Sequence, residues 1–126
     1  MRTAYLEYWR ALIEASAQAN PRLPALAATT ASRQLALVER NLAEDNDLHA
    51  FARGKVVHQI RAVTMGRTTA SVVDCVDVDG WRLYSAATGR LLSQLMKRPH
   101  QLVAYTLGQD ARAGWKVTDD QVLGSC

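Results

Sequence analysis

The sequence has no hydrophobic run long enough to cross a membrane, no low-complexity segment, and only two cysteines and three prolines. Its apolar runs fall far short of the roughly 18 to 20 residues that a transmembrane helix needs. Apolar residues make up 48% of the chain and charged residues 21%, which excludes a disordered or fibrous protein. The 126 residues therefore predict one domain, residues 1–126, that can bury a core without a metal or several disulfides.

Clustered positive charge is also lacking, although the net charge is +3. Most of the basic residues are arginines scattered along an alanine-rich chain, a composition that indicates the coding bias of a GC-rich genome. A nucleic-acid-binding domain would gather its basic residues on one helix or interleave them with aromatic residues. The densest basic group, Lys97, Arg98 and His100, is short and typical of a solvated loop. We therefore expect no nucleic-acid partner.

No catalytic or cofactor-binding motif is recognisable. The sequence has neither a glycine-rich phosphate loop, nor a nucleophile elbow, nor the paired cysteine and histidine spacing of a zinc site. Asp74, Asp77 and Asp79 lie close together, but they lack the loop ending in glutamate that binds calcium in helix-loop-helix proteins. We therefore expect no metal and no cofactor.

The two cysteines, Cys75 and Cys126, permit two interpretations. They are either separate buried thiols or one disulfide that ties the C-terminal segment to the middle of the chain. We favour the disulfide, because Cys126 follows Gly124 and Ser125 in a segment with no other reason to be buried. A disulfide implies an oxidising, extracytoplasmic compartment, and therefore an export signal or membrane anchor that has been removed. A cytosolic protein with two reduced thiols is the alternative.

The N-terminal part of the chain has helical periodicity. Helices are predicted over residues 3–19, 24–29 and 31–44. The second begins at Pro24 and the third is capped by Thr30, whereas residues 48–53 fit one more helical turn closed by Gly54. The buried faces of the first and third helices are predicted to comprise Tyr5, Trp9, Leu12, Ile13, Ser16, Leu35, Val38 and Leu42.

The rest of the chain has the pattern of strands. Strands are predicted over residues 55–64, 68–78, 81–87, 100–107 and 115–122. The pair Asp79-Gly80 predicts a hairpin that joins the second of these strands to the third, and Thr88-Gly89 predicts a further turn. Residues 90–99 fit either an extended strand or a loop.

Helices followed by strands predict an α+β domain, in which two to three N-terminal helices pack on one face of a curved antiparallel sheet of about five strands. This order of elements resembles the cone-shaped nuclear transport factor 2-like superfamily over nearly the whole chain. More narrowly, the chain is similar to small secreted or lipid-anchored actinobacterial domains of uncharacterised role. The segments that carry the resemblance are Ala4-Tyr5 to Trp9, Val73 to Asp77, Trp81 with Tyr84 and Gly89, Gly114 to Val117, and Gly124 to Cys126.

The resemblance implies a pocket between the first helix and the concave face of the sheet. The candidate pocket residues are Tyr5, Trp9, His58, Asp74, Tyr84 and Tyr105. Structural roles are also open to them: Asp74 as a surface or disulfide-adjacent carboxylate bonded to the backbone, His58 as a solvent-facing or satisfied histidine, and the aromatic residues as core anchors. None of the candidates matches a catalytic motif, so the resemblance implies no catalytic role.

Two functional hypotheses follow. We favour a non-enzymatic extracytoplasmic domain that binds a protein partner or a small apolar ligand. The alternative is a small-molecule enzyme, an isomerase, cyclase or hydrolase, with an acid–base pair in the cone pocket. An enzyme requires two or more ionisable side chains that converge in an apolar pocket, whereas a binding domain should have a filled or dry cone.

The strands also predict an interaction surface on the sheet. Apolar residues occur at both alternations, as in Val72-Val73, and helices on one face cannot bury both sets. We therefore expect a homodimer or a dedicated protein partner on the outer sheet face. The contact surface is predicted to include residues 101–107 and 115–121, where Tyr105 and Lys116 would alternate with core positions.

Overall fold

The structure is a computed structural model, which describes residues 1–94, 100–112 and 114–126. These residues form three helices, α1 (Arg2–Gln18), α2 (Pro24–Thr29) and α3 (Ser32–Asp47). They also form seven strands, β1 (Ala50–Gly54), β2 (Val57–Met65), β3 (Thr69–Asp77), β4 (Trp81–Ser85), β5 (Leu91–Gln94), β6 (His100–Asp110) and β7 (Gly114–Ser125). The α+β class and the three helices are confirmed. Within the ambiguous segment 90–99, β5 is a strand and residues 95–99 lie outside the described residues.

The described strands form two antiparallel sheets rather than one sheet of about five strands. One sheet has the order β1-β4-β5 and the other the order β2-β3-β6-β7. The hairpin predicted at Asp79-Gly80 is therefore wrong, because β3 pairs with β2 and β6 while β4 pairs with β1 and β5. A turn closed by the Trp81 N–H, which donates to the Val78 oxygen at 3.0 Å, carries the chain from one sheet to the other.

Strand β1, which pairs with β4, lies in the segment predicted as a helical turn. His49 adopts a φ of 52° after the end of α3, and the chain then extends from Ala50 to Gly54. Gly54 has a φ of 126°, and a Cβ atom there would lie 1.7 Å from the carbonyl oxygen of Gly80. Only glycine tolerates this close approach, which fixes the point where the two sheets adjoin.

The cap predicted for α3 is also wrong. Ala31 occupies the capping position, and no side chain bonds to the first turn of the helix. Thr30 is instead buried and forms a parallel bridge with Val117 of β7, next to which the Ala31 N–H donates to the Val117 oxygen at 3.0 Å. The backbone bond replaces a capping side chain and holds the α2–α3 connection against β7.

Helix α1 supplies the centre of the core. Its residues Tyr5, Tyr8 and Trp9 are buried against the inner face of the four-stranded sheet. This face carries the buried positions of β3 and β6, which alternate with less buried positions on the outer face. A second cluster joins α1 to the other two helices through Leu26, Val38 and other small and branched side chains. Each large side chain buried in this way contributes about 1.5–3 kcal/mol. Of the predicted buried positions, Leu12, Ile13 and Leu35 are only partly buried.

The outer face of the same sheet carries the half-buried residues Val73, Leu102 and Ala104. Tyr105 does not belong to it, contrary to expectation, because strand alternation places Tyr105 in the core with 2% of its surface exposed. Lys116 is half-buried and its Nζ lies 3.7 Å from Oδ2 of Asp110. A homodimer through this face stays a prediction.

The predicted disulfide between Cys75 and Cys126 is confirmed, with the two Cα atoms 6.0 Å apart. Cys75 of β3 is opposite Leu102 of β6, which is in turn opposite Gly124 of β7. The bond therefore crosses one strand on the outer face and ties β3 to the end of β7. In the part of the chain that the structure describes, no helix is both long and apolar enough to cross a membrane.

Candidate functional site

A buried carboxylate, Asp74, organises the seam between α1 and the sheet. It projects from the inner face of β3 and is 0% exposed. One of its oxygens, Oδ2, accepts a hydrogen bond from Tyr5 Oη at 2.5 Å and lies 2.6 Å from His58 Nδ1. The other, Oδ1, accepts from the backbone N–H of Gln59 at 2.8 Å. Because a carboxylate can only accept, we place a proton on Nδ1 of His58. We call these residues, with Trp9, the Asp74 network.

Strand alternation explains this arrangement. His58 and Ile60 share the inner face of β2, and Ile60 is opposite Asp74 in the register with β3. The His58 side chain is consequently only 17% exposed and packs beside the Trp9 ring, 5.2 Å away between centroids. The surface position considered for Asp74 is therefore wrong, although the backbone hydrogen bond considered for it is present, and His58 is a satisfied histidine rather than a solvent-facing one.

The Asp74 network is closed by aromatic side chains. Burial raises the pKa of the Tyr5 hydroxyl far above its usual value, and the neighbouring Tyr105 and Asp74 raise it further. The Tyr5 hydroxyl thus stays protonated and donates a hydrogen bond to Asp74, while its oxygen accepts a hydrogen bond from Trp9 Nε1 at 3.0 Å. The network reaches the surface at the His58 ring, in a shallow depression between α1 and β2 that is lined also by Leu6, Trp9, Arg10, Ile13 and Glu14.

On the other side of Trp9 lies a cavity of about 170 Å³, which we call the α1–α3 cavity. It runs between α1, α3 and the inner face of the sheets, and it is partly open to solvent. Its lining residues are Tyr8, Trp9, Leu12, Ser16, Gln34, Leu37, Val38, Asn41, Leu42, Asp45, Trp81, Tyr105 and Asp120. An apolar cavity of roughly 150 Å³ is large enough to hold a benzene ring, so this space accommodates a small organic group.

One end of the α1–α3 cavity is polar. Gln34 Nε2 donates to Tyr8 Oη at 2.9 Å and to Asp120 Oδ2 at 3.2 Å. Burial raises the pKa of the Tyr8 hydroxyl, although the hydrogen bond from Gln34 opposes this and the charge of Asp120 adds to it. Burial likewise raises the pKa of Tyr105, with smaller contributions from Tyr8 and Asp120. Both phenols are therefore neutral, and both lie close to the Asp120 carboxylate.

Trp81 provides the most informative polar group of the cavity. The residue is 5% exposed, and its indole Nε1 is buried without a hydrogen-bond partner. Every other buried side-chain nitrogen and oxygen of the described residues has a partner. A buried donor left without a partner costs about 1–3 kcal/mol, and such groups are rare in folded proteins. Trp81 lines the α1–α3 cavity, so the unpartnered donor belongs to a residue of the cavity wall.

The structure brings five of the six candidate residues together. Trp9 and Tyr105 line the cavity, whereas Tyr5, His58 and Asp74 lie behind them in the Asp74 network. The exception is Tyr84, whose ring stacks on that of Phe51 in the three-stranded sheet, with 6.0 Å between centroids. It contributes to neither the network nor the cavity.

Sequence reasoning missed the cavity residues Gln34 and Asp120. One signal was present: Gln34 precedes Val38 and Leu42 at helical spacing, so a polar side chain interrupts the apolar stripe of α3. Asp120 gave no signal, because a bulge in the pairing of β6 with β7 between Thr106 and Leu107 shifts the alternation. Among residues 1–94, 100–112 and 114–126, no cluster of metal-ligating side chains suitable for an ion occurs.

No protein-family profile matches the sequence, and no curated protein matches it. Among solved structures, the intermembrane space region of the chloroplast protein ARC6 is similar, with a TM-score of 0.75 and 17% identity over 98% of this chain and 93% of that chain. A nuclear transport factor 2 (NTF2-like) superfamily protein from Salmonella enterica serovar Typhimurium has a TM-score of 0.53 and 9% identity over 95% and 87%. At these identities the likeness concerns the fold, and the chain has the nuclear transport factor 2-like fold that its sequence predicts.

Proposed function

We propose that this protein is a non-enzymatic, extracytoplasmic binding domain that holds a small, mainly apolar ligand in the α1–α3 cavity. The observation that carries the proposal is the unpartnered indole N–H of Trp81, a residue that lines that cavity. A ligand with an apolar body would contact Leu12, Val38 and Leu42, and an oxygen on it would accept the hydrogen bond from Trp81. The new hydrogen bond recovers part of the roughly 1–3 kcal/mol that the orphaned donor costs.

The position of the His58–Asp74 pair favours binding over catalysis, although Tyr8, Tyr105 and Asp120 are ionisable side chains of the cavity lining. The acid–base pair of His58 and Asp74 does not line the α1–α3 cavity. Both oxygens of Asp74 already accept hydrogen bonds, from Tyr5, Gln59 and His58, so the carboxylate is engaged in holding α1 on the sheet. The cavity itself combines aromatic walls with a few polar groups, which is the usual composition of a ligand site.

The alternative, a small-molecule enzyme of the isomerase, cyclase or hydrolase kind, is supported by the 2.6 Å contact between His58 and Asp74. Its substrate would have to occupy the shallow depression between α1 and β2, where the His58 ring is accessible. Turnover that His58→Gln abolishes without a change in fold would favour this alternative over a binding domain.

Two observations support the extracytoplasmic location. A disulfide joins Cys75 to Cys126, and disulfides persist mainly in oxidising compartments. The similar region of ARC6 also comes from an intermembrane space. Alkylation of thiols in intact cells that express the full-length protein tests this: both cysteines should resist labelling until a reductant is added.

The binding proposal is tested on the Trp81 indole N–H itself. In a proton–nitrogen correlation spectrum the three tryptophans give three indole signals, which Trp→Phe variants assign. Titration with tyrosol, a neutral hydroxyphenyl alcohol, should shift the Trp81 signal saturably and leave the signal of Trp115, outside the cavity, unchanged.

A matched pair of variants controls the experiment. Val38→Phe fills the cavity and should abolish the Trp81 shift, whereas Leu48→Phe adds the same ring at a position that is 68% exposed and should leave the shift unchanged. A Trp81 signal that stays fixed at millimolar tyrosol, or that shifts equally in Val38→Phe, would contradict the proposal.

A further inference from the structure

We infer that the ligand of the α1–α3 cavity is an organic cation: an ammonium group on an apolar body, with Asp120 as its counter-charge. The inference rests on the proposed function and adds the chemical class of the ligand. Three independent features of the cavity lining support it, namely its charge, its aromatic rings and the position of Asp120.

The first feature is uncompensated negative charge. Two carboxylates, Asp45 and Asp120, line the cavity, and among residues 1–94, 100–112 and 114–126 no lysine or arginine lines it. Neither carboxylate forms an ion pair with a described residue, whereas the adjacent Asp119 pairs with Arg33 at 3.9 Å. A partly buried carboxylate is costly to desolvate unless a cation or several donors compensate it, and within the described part of the chain the Asp120 carboxylate has one donor, the Gln34 amide. A cationic ligand supplies the missing compensation.

The second feature is a continuous aromatic wall. Tyr8, Trp9, Trp81 and Tyr105 all line the cavity. Successive rings are in edge or tilted contact, at 6.0 Å between Tyr105 and Tyr8, 5.8 Å between Tyr8 and Trp9, and 5.8 Å between Trp9 and Trp81. Ring faces attract ammonium groups within about 6 Å, and the attraction increases when the site is desolvated. The same rings would also hold a neutral ligand.

The third feature decides which carboxylate the ammonium group meets. Gln34, bonded to Asp120, and Asp45 are 11 positions apart on α3, which corresponds to about 16 Å along the helix. A ligand that fits the cavity therefore places its ammonium group at one end. The Asp120 end is the aromatic one, because the Gln34 amide donates to both Tyr8 and Asp120, and Tyr105 is opposite Asp120 in the pairing of β6 with β7.

The test uses three probes with one hydroxyphenyl body and different ends: tyramine, tyrosol and para-hydroxyphenylacetate, which are cationic, neutral and anionic at neutral pH. Affinities come from titrations followed by the Trp81 indole signal and by calorimetry. Tyramine should bind at least about tenfold more tightly than tyrosol, and the carboxylate should bind most weakly, since like charges repel in a poorly solvated site. The preference for tyramine should decrease as salt is added.

The variants Asp120→Asn and Asp119→Asn form a matched pair. Asparagine keeps an oxygen for the Gln34 amide, so Asp120→Asn should bind tyrosol as before and lose the preference for tyramine. Asp119→Asn removes the same charge at a neighbouring, 46% exposed side chain and should keep the preference. If Asp120→Asn does not fold, the salt dependence in the unaltered protein takes its place.

The outcomes separate the two proposals. Equal affinities for tyramine and tyrosol, with a saturable Trp81 shift for both, would overturn the cationic ligand and leave the binding function standing. An unchanged preference in Asp120→Asn would also overturn the role of that carboxylate. Absence of any Trp81 shift with all three probes would overturn the binding function and the inference with it.

Discussion

Removal of a single oxygen, in Tyr5→Phe, is the most direct perturbation of the Asp74 network. Tyr5 Oη both donates to Asp74 at 2.5 Å and accepts from Trp9 Nε1 at 3.0 Å. The phenyl ring of the variant keeps the same packing against Tyr105, whose centroid lies 5.0 Å away. The change therefore isolates the polar contribution of the seam between α1 and β3.

The expected loss follows from the two hydrogen bonds. A bond to a charged group contributes about 1.5–3 kcal/mol, and a buried donor left without an acceptor, here Trp9 Nε1, costs about 1–3 kcal/mol. Phenylalanine avoids the burial of a hydroxyl, and Asp74 keeps its bonds with Gln59 and His58, which together reduce the total. We expect Tyr5→Phe to lower the free energy of unfolding by about 3 kcal/mol.

Urea unfolding monitored by tryptophan fluorescence and by circular dichroism measures this loss, provided that the two probes coincide. Tyr84→Phe is the matched control, because Tyr84 is a half-buried strand residue outside the network and should change stability by less than about 0.5 kcal/mol. A loss below about 1 kcal/mol for Tyr5→Phe, or a loss equal to that of Tyr84→Phe, would refute the view that the network holds α1 on the sheet.

Three further changes test other parts of the fold. Replacement of Cys75 and Cys126 by alanine should lower the free energy of unfolding by up to about 4 kcal/mol, since the disulfide spans 51 positions. If a reductant leaves the urea unfolding curve of the unaltered protein unchanged, this prediction is contradicted. Gly54→Ala should lower the free energy of unfolding by more than about 3 kcal/mol, because the new Cβ would lie 1.7 Å from the Gly80 oxygen. Gly89→Ala, where no atom lies within 4 Å of the new Cβ, should cost only about 1–2 kcal/mol from its positive φ, and equal losses would refute the steric reason. Burial, and then the neighbouring Glu44, raise the pKa of the Asp45 carboxyl, so the folded chain binds the Asp45 proton more tightly than the unfolded chain. Ionised Asp45 therefore lowers the free energy of unfolding, and this penalty grows as the pH rises. Asp45→Asn should therefore stabilise the protein by less than about 1 kcal/mol at neutral pH and not at all near pH 3, and a pH series showing the reverse would contradict the sign.

The helices and the class of fold were predictable because their signals are local. Periodicity at Tyr5, Trp9 and Ser16 and at Val38 and Leu42 defines helix faces whatever the rest of the chain does. The pairing of the strands was less accessible. Asp79-Gly80 has the composition of a hairpin turn, but a turn joins paired strands only if the two strands it connects pair with each other. Here β4 pairs with β1 instead of β3.

The β1 strand itself was missed for a related reason. Ala50–Gly54 is short and contains two alanines, an arginine and a glycine, none of which favours a strand by intrinsic propensity. Tertiary contacts override that preference, since Ala50 and Ala52 are buried in the core. Similarly, the sequence supplied Asp74 and His58 as candidates, but their burial and mutual contact depend on the register of β2 with β3, which no local pattern specifies.

The bridge between Thr30 and Val117 has a consequence for the behaviour of the chain at high concentration. An unpaired sheet edge is a template for adding strands from other molecules, and natural proteins interrupt such edges. Here the Ala31 N–H occupies the Val117 oxygen in the first third of the edge strand β7. At the opposite edge, the pairing of β2 with β3 shifts between Ile60 and Ala62, which places a bulge with the charged Arg61 midway along β2. Both edges of the four-stranded sheet are thus interrupted, which disfavours edge-to-edge aggregation and directs any self-association to the faces.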